Sequence, residues 1–212
     1  MTDEWYRLPD WDEEARAEFE RRLRKARSFN RAQYLRIKGL VLKEAGELAG
    51  ARELWRRVFD EDGEFAEMDA WAAAEHLGDS YVDHDPDLAI TFYRRSMKRN
   101  NSLNMTTATQ PIKLAELLHQ RGLPKDLAEA KRLLMDWPKM ADMPMPSAHF
   151  RCNAALAEVL DAAGDRQEAR QAAIRALALV DASAPFPRHK ELGVVRADRR
   201  TLKRLNQMAS RQ

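Results

Sequence analysis

Several common structural devices are scarce or missing in this 212-residue sequence. It has a single cysteine, Cys152, which excludes an internal disulfide and any zinc site built from several cysteines. Glycine and proline number only 8 and 9, which favours helix over sheet. No apolar run approaches the length that spans a bilayer, and the acidic N-terminus lacks the basic-then-apolar order of a signal peptide. We therefore expect a cytoplasmic protein with no membrane segment.

Apolar residues make up 44% of the chain and charged residues 33%, so there is enough apolar material for a core. The formal net charge is only +2, but the charges are grouped in blocks. Residues 1–20 and 58–91 are acidic, whereas residues 21–57, 92–125 and 187–212 are basic. Such blocks are typical of helices paired by complementary charge, and they can alternatively mark surfaces for a partner.

The stretch LAEVLDAAGDRQEARQAAIRAL, residues 156–177, has the pattern of a helix hairpin. Apolar and small residues form two helical stripes on either side of Gly164, which can adopt the left-handed conformation that ends a helix. Asp165 and Glu168 have the spacing of a capping box for the second helix. Alanines along the second stripe allow the two helices to approach closely.

The same pattern recurs in residues 34–59, 72–97 and 112–137, with a turn one residue shorter in the second hairpin and three residues longer in the third. The alanines at equivalent positions are Ala51, Ala89, Ala130 and Ala169. They are 38, 41 and 39 residues apart. Four tandem hairpins predict an all-α protein.

This pattern resembles the tetratricopeptide repeat, in which a Leu-Gly step, a second glycine, an alanine and an aromatic residue recur at fixed positions. In the first hairpin the matching residues are Gly39, Leu42, Gly46, Ala51, Trp55 and Val58. The resemblance covers residues 31–182 and implies an α-solenoid of about four antiparallel helix hairpins. The spacing here exceeds the family's period of about 34 residues. We therefore expect longer loops and irregular stacking.

Helices are also predicted on both sides of the hairpins. Residues 1–30 form an N-terminal segment in which residues 11–29 read as an extra helix over the first hairpin. Residues 183–212 contain a proline-broken loop followed by a basic amphipathic helix at 197–212. A solenoid requires such caps because its end repeats would otherwise expose an apolar face.

Motifs that carry chemistry are incomplete in this sequence. The stretch DHDPDLAI, residues 83–90, has the alternating aspartates of a calcium loop, but Leu88 and Arg94 replace its required glycine and glutamate. The Glu-x-x-His step at Glu116 and His119 occurs once, whereas a di-iron bundle uses two. A nucleophile elbow, a phosphate loop and a dinucleotide fingerprint are all missing. We expect no metal, no cofactor and no enzymatic activity.

The tryptophans and the cysteine have structural explanations. Trp55, Trp71 and Trp137 occupy repeat positions that face neighbouring helices, so we predict core roles for them. Cys152 lies in an alanine-rich helix, where a buried apolar role is commoner than that of a nucleophile. Tryptophans 5 and 11 either pin the N-terminal segment or belong to an interface.

In tetratricopeptide repeats, the first helix of each hairpin lines a concave surface that binds peptides or helices. The resemblance therefore implies that a groove is lined by Gln33, Arg36, Lys43, Glu75, Asp79, Asp83, Glu116, His119, Arg151, Glu158 and Asp161. This groove would be acidic through its middle and basic at its N-terminal lip. The resulting expectation is a non-enzymatic scaffold or adaptor that binds a basic or bipolar segment of a partner protein.

Two other functions and a structural explanation stay open from the sequence. The basic helices at 21–57 and the C-terminal tail suggest nucleic-acid binding, although few aromatic residues interleave with the basic ones. The alternating charge blocks also suggest self-association into a homo-oligomer. Finally, the acidic residues of the groove can simply solvate an exposed helical face.

Overall fold

The computed structural model describes residues 4–63, 65–97, 106–141 and 145–211. In these ranges the chain forms ten α-helices and two short 3₁₀ helices, with no strand, so the all-α prediction is confirmed. The described residues divide into an N-terminal unit, residues 4–97 with residues 106 and 107, and a C-terminal unit, residues 108–211. The division falls between the second and third predicted hairpins.

The N-terminal unit begins with a 3₁₀ helix at Trp5–Arg7. Its α-helices are α1 (Glu13–Lys25), α2 (Ser28–Glu44), α3 (Leu48–Arg57), α4 (Ala66–Tyr81) and α5 (Pro86–Ser96). Helix α2 packs on α3 and α4 packs on α5, as the hairpin pattern predicts, and α4 also contacts α2 and α3. The side chain of Asp12 accepts a hydrogen bond from the Ala15 amide and caps α1, and Asp85 caps α5 through the Leu88 amide.

The core of this unit depends on glycines that face large aromatic rings. Gly39 of α2 lies against the buried indole of Trp55 on α3. Gly78 of α4 lies against Tyr93 of α5 in the same way, and a Cβ built on Gly78 would be 2.7 Å from the tyrosine ring. The missing side chain on one helix is thus matched by a bulky one on the other, which keeps the packing dense.

The predicted N-terminal helix is α1, whose Phe19 and Leu23 are buried in the same core. The segment before it is held by aromatic contacts. The Trp5 ring lies 5.2 Å from the ring of Phe19 and 5.3 Å from that of Tyr34, and the Trp11 ring lies 5.7 Å from Phe19. Both tryptophans therefore pin the N-terminal segment to the first hairpin, as one of the two sequence interpretations proposed.

The helices of the C-terminal unit are α6 (Gln110–Arg121), α7 (Pro124–Met140), α8 (Pro146–Ala162), α9 (Arg166–Leu177) and α10 (Arg199–Ala209). Helix α6 packs on α7, α8 packs on α9, α7 contacts α8, and α10 lies against α9. Pro111 occupies the first turn of α6, where its missing N–H costs no hydrogen bond. Leu205 and Met208 bury the apolar face of α10.

The residues that define the hairpin pattern behave alike in both units. Glycines end the first helix of three pairs with positive φ, +89° at Gly46, +71° at Gly122 and +87° at Gly164. The four alanines at equivalent positions on the second helices, α3, α5, α7 and α9, are all buried. The four helix pairs predicted from the sequence are therefore confirmed.

The predicted capping box at Asp165 is wrong. The Asp165 side chain makes no capping hydrogen bond, because its carboxylate accepts from the Lys131 ammonium at 2.8 Å. Glu168, the other half of the predicted box, also lies 3.1 Å from Lys131. A charged donor on the neighbouring helix α7 competes successfully with neutral backbone amides for these carboxylates.

Candidate functional site

A groove of about 610 Å³ runs along the C-terminal unit. Its walls come from α6, α8, α10 and residues 196–198, whereas α7 and α9 contribute no lining residue. Phe150, Ala154 and Ala155 of α8 supply apolar surface, and most of the other lining side chains are polar or charged. This volume lies within the range of about 300–1,000 Å³ that is usual for ligand sites.

Ion pairs join the three helices across this groove. Arg151 of α8 binds Glu116 of α6 through two parallel hydrogen bonds, with 2.7 Å between Nε and Oε1. Arg204 of α10 lies 2.6 Å from Glu158 of α8, and the same carboxylate lies 3.8 Å from Nε2 of His119 on α6. Glu158 therefore stands between cationic or hydrogen-bonding groups of both neighbouring helices.

The arginines of these pairs lie further out than the carboxylates. The side chains of Arg151 and Arg204 are each 45% exposed, against 31% for Glu116 and 20% for Glu158. Arg196 is 73% exposed and pairs with Glu191, which is not part of the lining. We call Arg151, Arg196 and Arg204 the arginine rim.

One exposed carboxylate also lies at the mouth of the groove. Asp198 precedes α10 and accepts hydrogen bonds from the amide and the hydroxyl of Thr201, at 2.9 and 2.8 Å. The hydrogen bond from the Thr201 amide is the main cause that holds the pKa of Asp198 below its ordinary value. The bond from the Thr201 hydroxyl acts in the same direction. The Asp198 carboxylate thus caps the N-terminus of α10.

The structure brings four of the eleven sequence-predicted site residues together in this groove. They are Glu116, His119, Arg151 and Glu158. Asp161 lies one turn further along α8, and its carboxylate pairs with Arg211 near the C-terminus. All the predicted acids of this unit therefore already hold an arginine of the same unit.

The predicted site residues of the N-terminal unit are mostly engaged in the fold. Arg36 of α2 forms an ion pair with Asp69 of α4 at 2.5 Å, and the two side chains are only 13% and 4% exposed. Glu75 is 1% exposed and accepts hydrogen bonds from the amide of Thr107, at 2.9 Å, and from its hydroxyl. Both pairs connect parts of the N-terminal unit with each other.

Asp79 accepts a 2.6 Å hydrogen bond from the Tyr93 hydroxyl, so it too holds the second hairpin together. Gln33 and Lys43 are exposed on α2. Asp83 is exposed in the turn after α4, beyond the last residue of the helix. The six predicted residues of this unit therefore do not form a continuous row of exposed acids.

The contribution of α10 to the groove was not predicted from the sequence. Arg204 and Thr201 line it from this helix, and Gln120 and Phe150 complete the walls from α6 and α8. The basic amphipathic pattern at 197–212 identified a capping helix, but the pattern alone does not show which neighbour its polar face meets. That depends on how α10 packs against α8 and α9.

The charge blocks of the sequence pair with one another in part. Arg36 and Arg57 belong to a basic block, and they bind Asp69 and Glu20, which belong to the two acidic blocks. The hydrogen bond to Glu20 is the main cause that raises the pKa of Arg57. Burial lowers this pKa, and the nearby acids raise it. Complementary pairing between helices therefore accounts for these residues.

Comparison with known proteins assigns no family to this chain. Neither a protein-family model nor a curated protein matches this chain. Among the residues that the structure describes, no helix is long and apolar enough to cross a membrane. The same residues contain no group of three or more side chains able to hold a metal ion.

Proposed function

We propose that this chain is a non-enzymatic protein-interaction module, built from tetratricopeptide-like helix pairs, that holds a segment of a partner protein in the groove of the C-terminal unit. The observation that carries the proposal is the lining of that groove by alternate helices. In stacked hairpins the first helix of each pair lines one face, and such faces commonly bind other polypeptides.

The composition of the groove supports a polypeptide ligand. An apolar strip on α8 lies between charged residues of α6 and α10, so a bound segment can bury an apolar side chain while its polar groups meet the edges. Ion pairs already connect the three helices, so the groove is formed before the partner arrives. A preformed surface loses less conformational entropy when it binds.

Mixed charge in the lining favours a charged segment. The groove carries carboxylates and guanidinium groups side by side, so charged side chains of a partner segment can form ion pairs with its lining. Charge complementarity of this kind chiefly sets association rate and specificity.

Nucleic-acid binding has weaker support. It requires arginine and lysine side chains that can contact phosphates, but Arg36 and Arg57 of the basic block are paired with carboxylates. Arg211 of the C-terminal tail is paired with Asp161. A gel-shift experiment at low salt with mixed RNA and DNA should therefore show no retarded complex.

The proposal is tested by site-specific photo-cross-linking in cells. A photoreactive amino acid at Gln120, in the groove, should form an adduct with a partner protein, whereas the same residue at the exposed Ala128 of α7 should not. Adding Ala155→Trp should abolish the adduct, because Ala155 lines the groove and the indole would fill it without changing its charge.

Three results would count against the proposal. An adduct that survives Ala155→Trp would show that the partner binds elsewhere, and equal adducts from positions 120 and 128 would show random collision. An adduct of the chain with itself would instead assign the groove to self-association, which light scattering of the purified protein would then confirm.

A further inference from the structure

We infer that the segment held in the groove is acidic, with carboxylates directed at the arginine rim and an apolar side chain on the α8 strip between them. This inference rests on the proposed function of the same groove. It assigns an acidic segment to the partner in place of the basic or bipolar segment expected from the sequence.

The charges of the groove differ in depth. A segment that enters the groove meets the guanidinium groups of Arg151 and Arg204 before the carboxylates of Glu116 and Glu158, because the arginine side chain is the more exposed member of both pairs. Arg196 is 73% exposed, and its partner Glu191 lies outside the lining. The exposed charges of the lining are therefore three arginines and one carboxylate, Asp198.

The arginines and the inner carboxylates differ in the number of further hydrogen bonds that each can form. A guanidinium group has five N–H donors in a planar fork, so an arginine bound to one carboxylate can bind a second. The inner carboxylates have less capacity, since Glu158 already accepts from Arg204 and faces His119, while Glu116 takes two bonds from Arg151. A carboxylate of the partner can therefore form more hydrogen bonds in this groove than an ammonium group can.

The apolar strip on α8 is narrow. Phe150 and Ala154 line the groove and are each 8% exposed, so only a small apolar area remains open. One apolar side chain of the partner can cover what remains and exclude water from the neighbouring charge pairs. Exclusion of water strengthens those pairs.

The experiment is an NMR titration of the ¹⁵N-labelled full chain with two probes, the peptides Gly-Glu-Glu-Leu-Glu-Glu-Gly and Gly-Lys-Lys-Leu-Lys-Lys-Gly. The acidic probe should bind at least about tenfold more tightly, and its advantage should shrink as salt is raised. The shifted signals should include the side-chain Nε–H groups of Arg151 and Arg204.

Glu158→Gln separates the two charge assignments by the sign of its effect. If the arginine rim recognises the partner, removing the competing carboxylate should strengthen binding of the acidic probe about threefold or more. Arg204→Gln should weaken it by a similar factor. Arg132→Gln on α7 has the same change in charge at an exposed position outside the groove lining, and it should leave the affinity unchanged.

Tighter binding of the lysine probe, or weaker binding of the acidic probe to Glu158→Gln, would overturn the inference. The proposed function would survive that result if Ala155→Trp still blocked both the probe and the cross-linked partner. Absence of binding by either probe would also overturn the inference, and the cross-linking experiment would then decide the proposed function separately. If Arg204→Gln did not fold, Glu158→Gln would still give the answer.

Discussion

At the scale of single residues, Cys152 shows how burial decides chemistry. Its side chain is 2% exposed on α8, and its thiol donates to the Leu134 carbonyl at 3.4 Å. Burial is the main cause that raises the pKa of this thiol to about 12, because the thiolate would lose its hydration. The prediction of a buried structural cysteine is confirmed.

We therefore expect native Cys152 to react with a thiol reagent at pH 8 more than about 100-fold more slowly than in the unfolded chain. The pKa is higher in the folded state, so ionisation of the unfolded thiol should lower stability only as pH rises from about 9 towards about 12. Stopped-flow labelling with and without denaturant measures the ratio. Equal rates would contradict the assigned burial.

Lys38 is the other residue whose environment the sequence did not reveal. This lysine of α2 is 2% exposed, and its ammonium donates to the carbonyls of Leu8 and Asp10, the latter at 3.0 Å. The rings of Trp11 and Phe19 lie 5.2 and 5.7 Å from the nitrogen. Burial lowers the pKa of Lys38, so the bonds to the N-terminal segment compensate for lost hydration.

Lys38→Met should lower the free energy of unfolding by about 1–3 kcal/mol, because two backbone carbonyls lose their donor. Hydrogen exchange of amides near residues 8–12 should accelerate as the N-terminal segment loosens. Lys43→Met is the matched control, since Lys43 is exposed on the same helix, and it should change stability by less than about 0.5 kcal/mol. Equal effects of the two substitutions would show that the buried lysine holds nothing in place.

At the scale of helices, the hairpins depend on matched small and large residues. Gly39 and Gly78 on first helices face Trp55 and Tyr93 on second helices. The sequence pattern placed Gly39 and Trp55 in the same hairpin, but the contacts between glycines and aromatic rings come from the structure. Local periodicity is thus enough to predict a hairpin.

Gly78→Ala should destabilise the protein by about 1–3 kcal/mol even though alanine favours helix, because the new methyl group would overlap the Tyr93 ring. The test is a double-mutant cycle by chemical denaturation. In a Tyr93→Leu background the same substitution should cost at least about 1 kcal/mol less. Additive effects of the two substitutions would contradict the proposed packing.

Asp198 provides a test at the start of α10. Asp198→Ala should lower the free energy of unfolding through loss of the helix cap. Because the pKa of Asp198 is lowered in the folded state, its contribution should be full above pH 3.8 and should decline as pH falls below that value. Asp181→Ala, at an exposed loop position, is the control. A loss of stability that stays constant through acid pH would argue against an ionised cap.

At the scale of the whole molecule, the sequence predicted the helices better than the contacts between distant helices. Periodicity and glycine positions are local properties, so the four pairs and the two flanking helices were predictable. The partner of Arg204 was not, because Glu158 belongs to another helix and is reached only through packing. The capping role predicted for Asp165 was wrong for the same reason, because its carboxylate accepts a hydrogen bond from Lys131 of α7 instead.

The candidate site shows the same division. The resemblance to tetratricopeptide repeats implied that Glu116, His119, Arg151 and Glu158 share one surface, and the structure brings them together. Pattern alone could not show that these acids already hold arginines, nor that the arginines are the outer members of the pairs. Charge counted along a sequence does not report the depth of each group in a groove.

The central claim is that the groove between α6, α8 and α10 binds a partner polypeptide. Calorimetric titration of the cross-linked partner's binding segment against the chain and against Ala155→Trp tests it most directly. We expect a saturable complex with the unmodified chain and an affinity at least about tenfold lower, about 1.4 kcal/mol, for the variant, with equal melting temperatures. Equal affinities for two equally stable proteins would contradict the claim.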